Sequence, residues 1–178
     1  MLTLQKGRPE DEAGRPEKEI RVYDLLDQLK IGYDRVDHEA LATMEACVEV
    51  DELLKVNMCK NLFLCNAQKT KFYLLLMPGE KKFITKDLSQ QIGSSRLSFA
   101  SAEDMVRLMD LTPGSVTIMG LMNDVDHKIQ LLIDEDILRD DYLACHPCIN
   151  TSSIKVKTEE LISGFLPAVE HEPIIVKL

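Results

Sequence analysis

Nowhere in this 178-residue chain does an apolar run approach the ~18–20 residues that a membrane-spanning helix needs, so no such helix is expected. The first twenty residues, Met1 to Ile20, are polar and charged and lack the apolar stretch of a secretory signal. No internal repeat and no low-complexity tract is visible. The cysteines (Cys47, Cys59, Cys65, Cys145 and Cys148) are odd in number, which with no signal peptide points to free thiols and a cytoplasmic protein. Several catalytic signatures are missing too. There is no Gly-x-Ser-x-Gly, no loop ending in Gly-Lys-Ser/Thr, and no evident Ser-His-Asp or Cys-His nucleophile pattern. Positive charge is in deficit: 21 Lys and Arg stand against 30 Asp and Glu, a formal net charge of −9. That balance argues against a long nucleic-acid duplex, which needs many phosphate contacts.

The length and a composition 45% hydrophobic and 29% charged suit one domain with one core. The charge is uneven. Between Lys60 and Arg107 eight Lys or Arg face four Asp or Glu. A locally basic stretch suits a small phosphate-bearing ligand or one end of an RNA, and equally an uneven but solvated surface.

Residues 1–15 show no apolar period and are expected to be a loose segment, leaving 16–178 as the folded domain. Ile20, Tyr23, Leu25, Leu26 and Leu29 recur at helical spacing, with Gly32 as a stop. Tyr33 to Val36 reads as a short strand. A second helix is expected from Thr43, its N-cap, to Leu54. Met58–Cys65 and Lys71–Met77 read as a hairpin around Asn66–Thr70. Helices follow at Thr85–Ile92, ended by Gly93, and from an N-capping Ser101 to about Asp110. Further strands are expected at Lys128–Ile133, Tyr142–Ala144, Ser152–Val156 and Ile174–Val176, with a short helix at Thr158–Gly164. The sum is an α/β domain with a mixed, largely antiparallel sheet surrounded by helices.

Three segments can carry chemistry. In Cys59-Lys60-Asn61-Leu62-Phe63-Leu64 a lysine opens an apolar strand. Enclosed there, its ammonium needs an anionic partner; at the strand edge it reaches water instead. In Leu111-Thr112-Pro113-Gly114-Ser115-Val116-Thr117-Ile118-Met119-Gly120 two glycines lie six apart. Such a loop lets backbone N–H groups approach and polarise a carbonyl, or simply joins a helix to a strand. Ala144-Cys145-His146-Pro147-Cys148-Ile149-Asn150 holds a C-x-x-C. Zinc would need ligands recruited from elsewhere, since no second C-x-x-C or H-x-x-x-H exists. A redox pair would be expected near the N-terminus and opening a helix. His146 and Asn150 lining a pocket is the third reading.

Taken in order, "CKNLFL" at 59–64, "LTPGSVT..GL.ND" from Leu111 to Asp124 and "CHPC.NT" at 145–151 closely resemble the free-standing prolyl-tRNA editing proteins of the YbaK/ProX type, relatives of the bacterial prolyl-tRNA synthetase insertion domain. "DHEALATMEA" at 37–46 resembles the family's early segment, and the likeness spans roughly residues 17–165. The resemblance implies a trans-acting aminoacyl-tRNA deacylase that takes the CCA end of a mischarged tRNA, with Ala-tRNA(Pro) the leading substrate and prolyl-tRNA synthetase a possible partner. The alternative is a weak or inactive tRNA- or synthetase-binding module of the same fold. Lys60 matches the lysine thought to hold the terminal adenosine phosphate, Gly114 the glycine whose N–H faces the aminoacyl carbonyl, and His146 the late pocket segment. Thr43, Asn61 and Asn150 are expected to contact substrate, as are Ser115, Val116, Thr117, Ile118 and Gly120 of the loop. No cofactor, metal or membrane is implied. One departure stands out: the family's loop commonly reads Gly-x-x-x-Pro, whereas Gly114 here is followed at that position by Ile118.

Overall fold

Strand β4 (Phe72–Pro78) is buried along its whole length, which places it in the middle of a sheet with both faces covered. The computed structural model describes residues 2–40, 44–57 and 59–178, without the side chains of 44–47. Thr43, expected as the cap of the second helix, and Met58, expected to open a strand, lie outside the described residues.

In chain order the other elements are β1 (Leu4–Lys6), α1 (Glu17–Gln28), β2 (Tyr33–Asp37), α2 (Met44–Leu54), β3 (Cys59–Cys65), α3 (Thr85–Ile92), β5 (Ser98–Phe99) and α4 (Ala102–Met109). A 3-10 turn (Ile118–Asn123), β6 (Ile129–Asp134), a second 3-10 turn (Glu135–Arg139), β7 (Tyr142–Cys145), β8 (Ser152–Lys157), a last helical run and β9 (Ile174–Val176) follow. The strands form two sheets rather than the one expected. One is antiparallel, in the order β1-β2-β8-β7; the other is mixed, in the order β5-β3-β4-β6-β9. Antiparallel pairing predominates, and β4–β6 and β6–β9 are the parallel pairs. A parallel neighbour needs a long crossover, and the chain between β4 and β6 supplies it with α3, β5, α4 and the glycine loop.

The main core lies between the sheets. Phe63, Leu74 and Leu131 of the mixed sheet meet Leu143, Ile154 and Val156 of the antiparallel sheet, with Tyr23 and Leu26 of α1 and Phe165 of the last helical run. On the far face of the mixed sheet, Leu64, Leu75 and Leu132 pack under Leu88 of α3. On the far face of the antiparallel sheet, Val50 and Leu54 of α2 cover Val36. No described helix is long and apolar enough to cross a membrane.

Local signals behave as their chemistry dictates. The Asn66 side chain accepts from the N–H groups of Thr70 (2.8 Å) and Lys71 (3.1 Å), closing the β3–β4 hairpin. Ser101 caps α4 by accepting from Asp104 N–H, and Gly93 ends α3 in the left-handed conformation. Two stops differ. Helix α1 ends at Gln28, with Lys30 rather than Gly32 taking the left-handed position, because Ile31 N–H already bonds to Leu26 O at 2.9 Å. The last helical run passes Gly164 through a π-wound Leu161–Phe165 to Ala168. There the missing side chain makes room for Ile31, which a Cβ would meet at 3.3 Å.

The first fifteen residues, expected to be loose, are partly bound. Leu4–Lys6 pair with β2, and Arg15 bonds to Glu19 (2.5 Å) and Asp37 (2.6 Å). Burial pushes the Asp37 carboxyl up, but hydrogen bonds from Arg15 and Arg35 outweigh that and hold it at about 2. The β1–β2 pairing and the Arg15–Asp37 bond depend on partners distant in sequence, so no local period announces them.

Gly120 lies where the first 3-10 turn crosses the end of α4. A Cβ there would fall 2.7 Å from Leu111 Cδ1 and 2.9 Å from Met109 Cε, both in the main core. Gly120→Ala is expected to lower stability by about 1–3 kcal/mol through overpacking. Urea denaturation checks this, and an unchanged midpoint would show that Leu111 and Met109 yield without cost.

Candidate active site

Helix α4 ends with Asp110 in the left-handed conformation, and the chain turns back over Thr112–Ser115. Ser115 N–H bonds to Thr112 O at 3.0 Å, and the Ser115 hydroxyl donates to the same oxygen at 2.8 Å while accepting from Thr112 N–H. The hydroxyl is thereby committed to the turn and buried. Gly114, at φ +90°, needs the freedom of glycine and is exposed. Val116 packs partly on the main core. Thr117 accepts from Met119 N–H at 3.2 Å and so caps the 3-10 turn. Ile118 is the first residue of that turn and is fully buried in the main core.

The second loop follows β7. The Thr117 hydroxyl donates to His146 O at 2.7 Å, and a Cβ on Gly114 would lie 3.6 Å from Asn150 Nδ2. The structure therefore brings Gly114, Thr117, His146 and Asn150 together, while Ser115, Ile118 and Gly120 turn inward and shape the loop from behind.

His146 is the titratable group of this cluster. Its Nδ1 lies 2.8 Å from Ser152 O. A carbonyl only accepts, so Nδ1 carries the proton and Nε2 presents a lone pair, with no partner among the described residues. Burial holds the ring below its ordinary value; the hydrogen bond to Ser152 opposes this and nearby His38 adds to it. A neutral imidazole with a free Nε2 can take a proton from water.

His38 and Ser153 were not among the residues expected in the site. His38 Nε2 is 2.9 Å from Ser153 Oγ, which is 3.5 Å from His146 Nδ1. The "DHEALATMEA" segment contained the signal for His38; Ser153 reads as an ordinary strand residue.

The C-x-x-C thiols are core groups. Burial pushes Cys148 up to about 12 and Cys145 higher still, so both stay protonated. Cys59, Cys65, Cys145 and Cys148 are free. Among the described residues no group of three or more His, Cys, Asp or Glu is placed to hold a metal ion.

Lys60 and Asn61 open β3 on opposite faces. Cys59, Asn61 and Phe63 face the main core, and Cys59 Sγ donates to Ala144 O of β7 at 3.3 Å. The buried Asn61 Oδ1 has no partner among the described residues. Lys60 shares the other face with Leu62 and Leu64, and its Nζ donates to Lys81 O at 2.6 Å. No contact joins Lys60 to the His146 cluster, and among the described residues it has no carboxylate partner. The acids at hand, Asp134 and Asp136, are taken by the Lys81 ammonium.

The glycine loop and the His146 segment thus meet on a two-sheet α/β scaffold. The aminoacyl-tRNA editing domain family matches the chain over residues 38–163. The chain belongs to that family and is an editing enzyme. Its relatives include the prolyl-tRNA editing protein ProX of Acetoanaerobium sticklandii, 32% identical over 136 residues, 76% of this chain and 83% of ProX. Prolyl-tRNA synthetase associated domain-containing protein 1 of Mus musculus is 27% identical over 154 residues, 84% of this chain and 90% of that protein. A solved structure of a proposed trans-editing enzyme for prolyl tRNA synthetase shares the fold, with a TM-score of 0.67 over 92% of this chain and 98% of that chain at 17% identity.

The imidazole of His146 is expected to titrate below the ordinary 6.5 and to keep its Nδ1–H tautomer at neutral pH. The neutral form then predominates at neutral pH and is lost as pH falls through that lowered value. Long-range 1H–15N correlation spectra across pH 4–8 check both points; a midpoint above 6.5 or a dominant Nε2–H form contradicts them.

Proposed function

We propose that this chain works in the cytoplasm in trans, hydrolysing the ester that joins a wrong amino acid to the 3′ CCA end of a tRNA, with Ala-tRNA(Pro) as the leading substrate. Prolyl-tRNA synthetase, which makes such errors, is the proposed partner. The observation that carries this reading is His146, kept neutral by burial and with no partner for Nε2 among the described residues, on a segment tied to the Gly114 loop by the Thr117 hydroxyl. The name of the ProX relative supports the prolyl assignment.

The chemistry asks little of the protein. An aminoacyl ester is already activated, so a positioned water and a polarised carbonyl suffice. Water attacks the carbonyl carbon while His146 Nε2 takes its proton. Backbone N–H groups around Gly114 stabilise the oxyanion, and collapse expels the ribose oxygen, which recovers the proton. The substrate's neighbouring ribose hydroxyl helps to place the water. Lys60 holds the terminal phosphate: its ammonium rests on a neutral carbonyl, an arrangement that leaves the charge available to an anion. A −9 protein tolerates this substrate because only the CCA end enters.

Ile118 bears on the inactive-module alternative. The family's proline would stand at the first position of the 3-10 turn, where a spare N–H makes proline acceptable. Isoleucine keeps the turn in register through the Thr117 cap and its own burial, so the loop's order does not require the proline.

Lys60→Ala is expected to lower kcat/KM for mischarged tRNA about ten- to a hundredfold, the worth of one charge-assisted contact, without altering circular dichroism. Full activity in a folded variant would end the phosphate-anchor role. A panel of alanyl, seryl, threonyl and prolyl esters of tRNA tests the substrate.

The pocket is expected to reject proline by size, since a rigid wall excludes an oversized side chain while a missing methylene costs only about 1–3 kcal/mol. Ile118 lies in the core behind the loop, so Ile118→Pro is expected to leave the ranking of alanine, serine and threonine esters in relative kcat/KM unchanged. A shifted ranking would give Ile118 a part in specificity, and wild-type cleavage of prolyl-tRNA as fast as the small esters removes size exclusion.

A further inference from the structure

His38 and Ser153 are buried, polar and without a part in the chemistry above. Their hydrogen bonds form an ordered sequence that ends at His146. His38 Nδ1 lies 2.8 Å from Glu39 O, so that nitrogen carries the ring's proton and Nε2 is a bare acceptor. Ser153 Oγ, 2.9 Å from that Nε2, must donate to it. The hydroxyl has one proton, so only its lone pairs are left to face His146 Nδ1 at 3.5 Å. The His38 backbone N–H bonds to Thr151 O at 3.0 Å, which fixes the ring at the junction of β2 and β8. The two imidazoles stand 6.1 Å apart.

We propose that His38 is a positioning residue for His146, acting through Ser153, in the editing reaction on whose assignment this role rests. With His38 present, the Ser153 proton is drawn away from His146, and both oxygens near Nδ1, Ser152 O and Ser153 Oγ, are acceptors. That environment favours Nδ1–H and leaves Nε2 bare for catalysis. Without His38 the Ser153 hydroxyl is free to rotate and donate to Nδ1. Donation there requires an unprotonated Nδ1 and competes with the 2.8 Å bond from Nδ1–H to Ser152 O, so a fraction of the rings carries the proton on Nε2, where it occupies the catalytic lone pair. Ser153 is thus a switchable group whose direction His38 sets. It is itself 6% exposed and points its proton at His38, a poor placement for a nucleophile.

Loss of packing alone does not produce the reversal expected of a second substitution. His38→Ala is expected to populate the Nε2–H tautomer of His146 at neutral pH and to lower kcat in proportion to that population, with KM within about twofold. Adding Ser153→Ala removes the competing hydroxyl, and the double variant is expected to regain the Nδ1–H tautomer and much of kcat. His38→Gln, whose amide oxygen can accept from Ser153, is expected to keep both and serves if His38→Ala does not fold. Tautomers are read by long-range 1H–15N spectra and rates with the mischarged tRNA on which wild type is fastest. An unchanged tautomer in folded His38→Ala, or a double variant no better than the single one, overturns the proposal. If the tautomers follow the pattern while wild type cleaves none of the esters, the positioning stands and the editing assignment falls.

Discussion

The hydrogen bond from the Thr117 hydroxyl to His146 O is the tie on which the site depends. Its two ends arrive by different routes. Thr117 comes off the crossover between β4 and β6 of the mixed sheet, and His146 off the β7–β8 connection of the antiparallel sheet. One such bond contributes about 1 kcal/mol net, too little to pull two sheets together. The apolar main core sets the spacing, and the bond fixes the register in which Gly114, Asn150 and His146 meet. The same hydroxyl caps the 3-10 turn, so loop shape and loop contact are decided by one atom.

Charge is distributed to match. Asp37, at the end of β2, is held ionised by Arg15 and Arg35, which fastens the strand that delivers His38. His146, by contrast, is kept neutral by burial. The ionised groups thus brace the scaffold around a site whose imidazole is uncharged. The cysteines flanking His146 contribute volume, not reactivity, since burial keeps their thiols protonated.

Local chemistry was legible in the sequence. The Ser101 cap, the Asn66 hairpin and the apolar run of β3 all follow from residue type and spacing. The glycine loop and the His146 segment were legible as ligand-bearing candidates, the latter with His146 and Asn150 lining a pocket as one of its readings. The partition into two sheets was not legible, because alternation says which face a residue takes and not which strand lies beside it. β1 escaped because three residues are too few for a period, and Ser153 because nothing local marks a strand serine that bonds to a distant histidine. Ile118, expected to contact substrate, has its side chain in the core because the capped turn rolls it inward.

The parallel pairing of β4 with β6 has a consequence for the order in which the molecule is assembled. Phe72 must find Ile129 across the whole crossover, while the β3–β4 hairpin closes over a short loop. Contacts between distant parts of a chain carry a larger entropic cost and slow folding. The glycine loop rides on that crossover, so it reaches its place only once the long pairing is made and the second sheet has docked. Hydrolytic competence then marks completion of the fold: a chain stalled with its hairpin formed has strands, but nothing yet that could touch an ester.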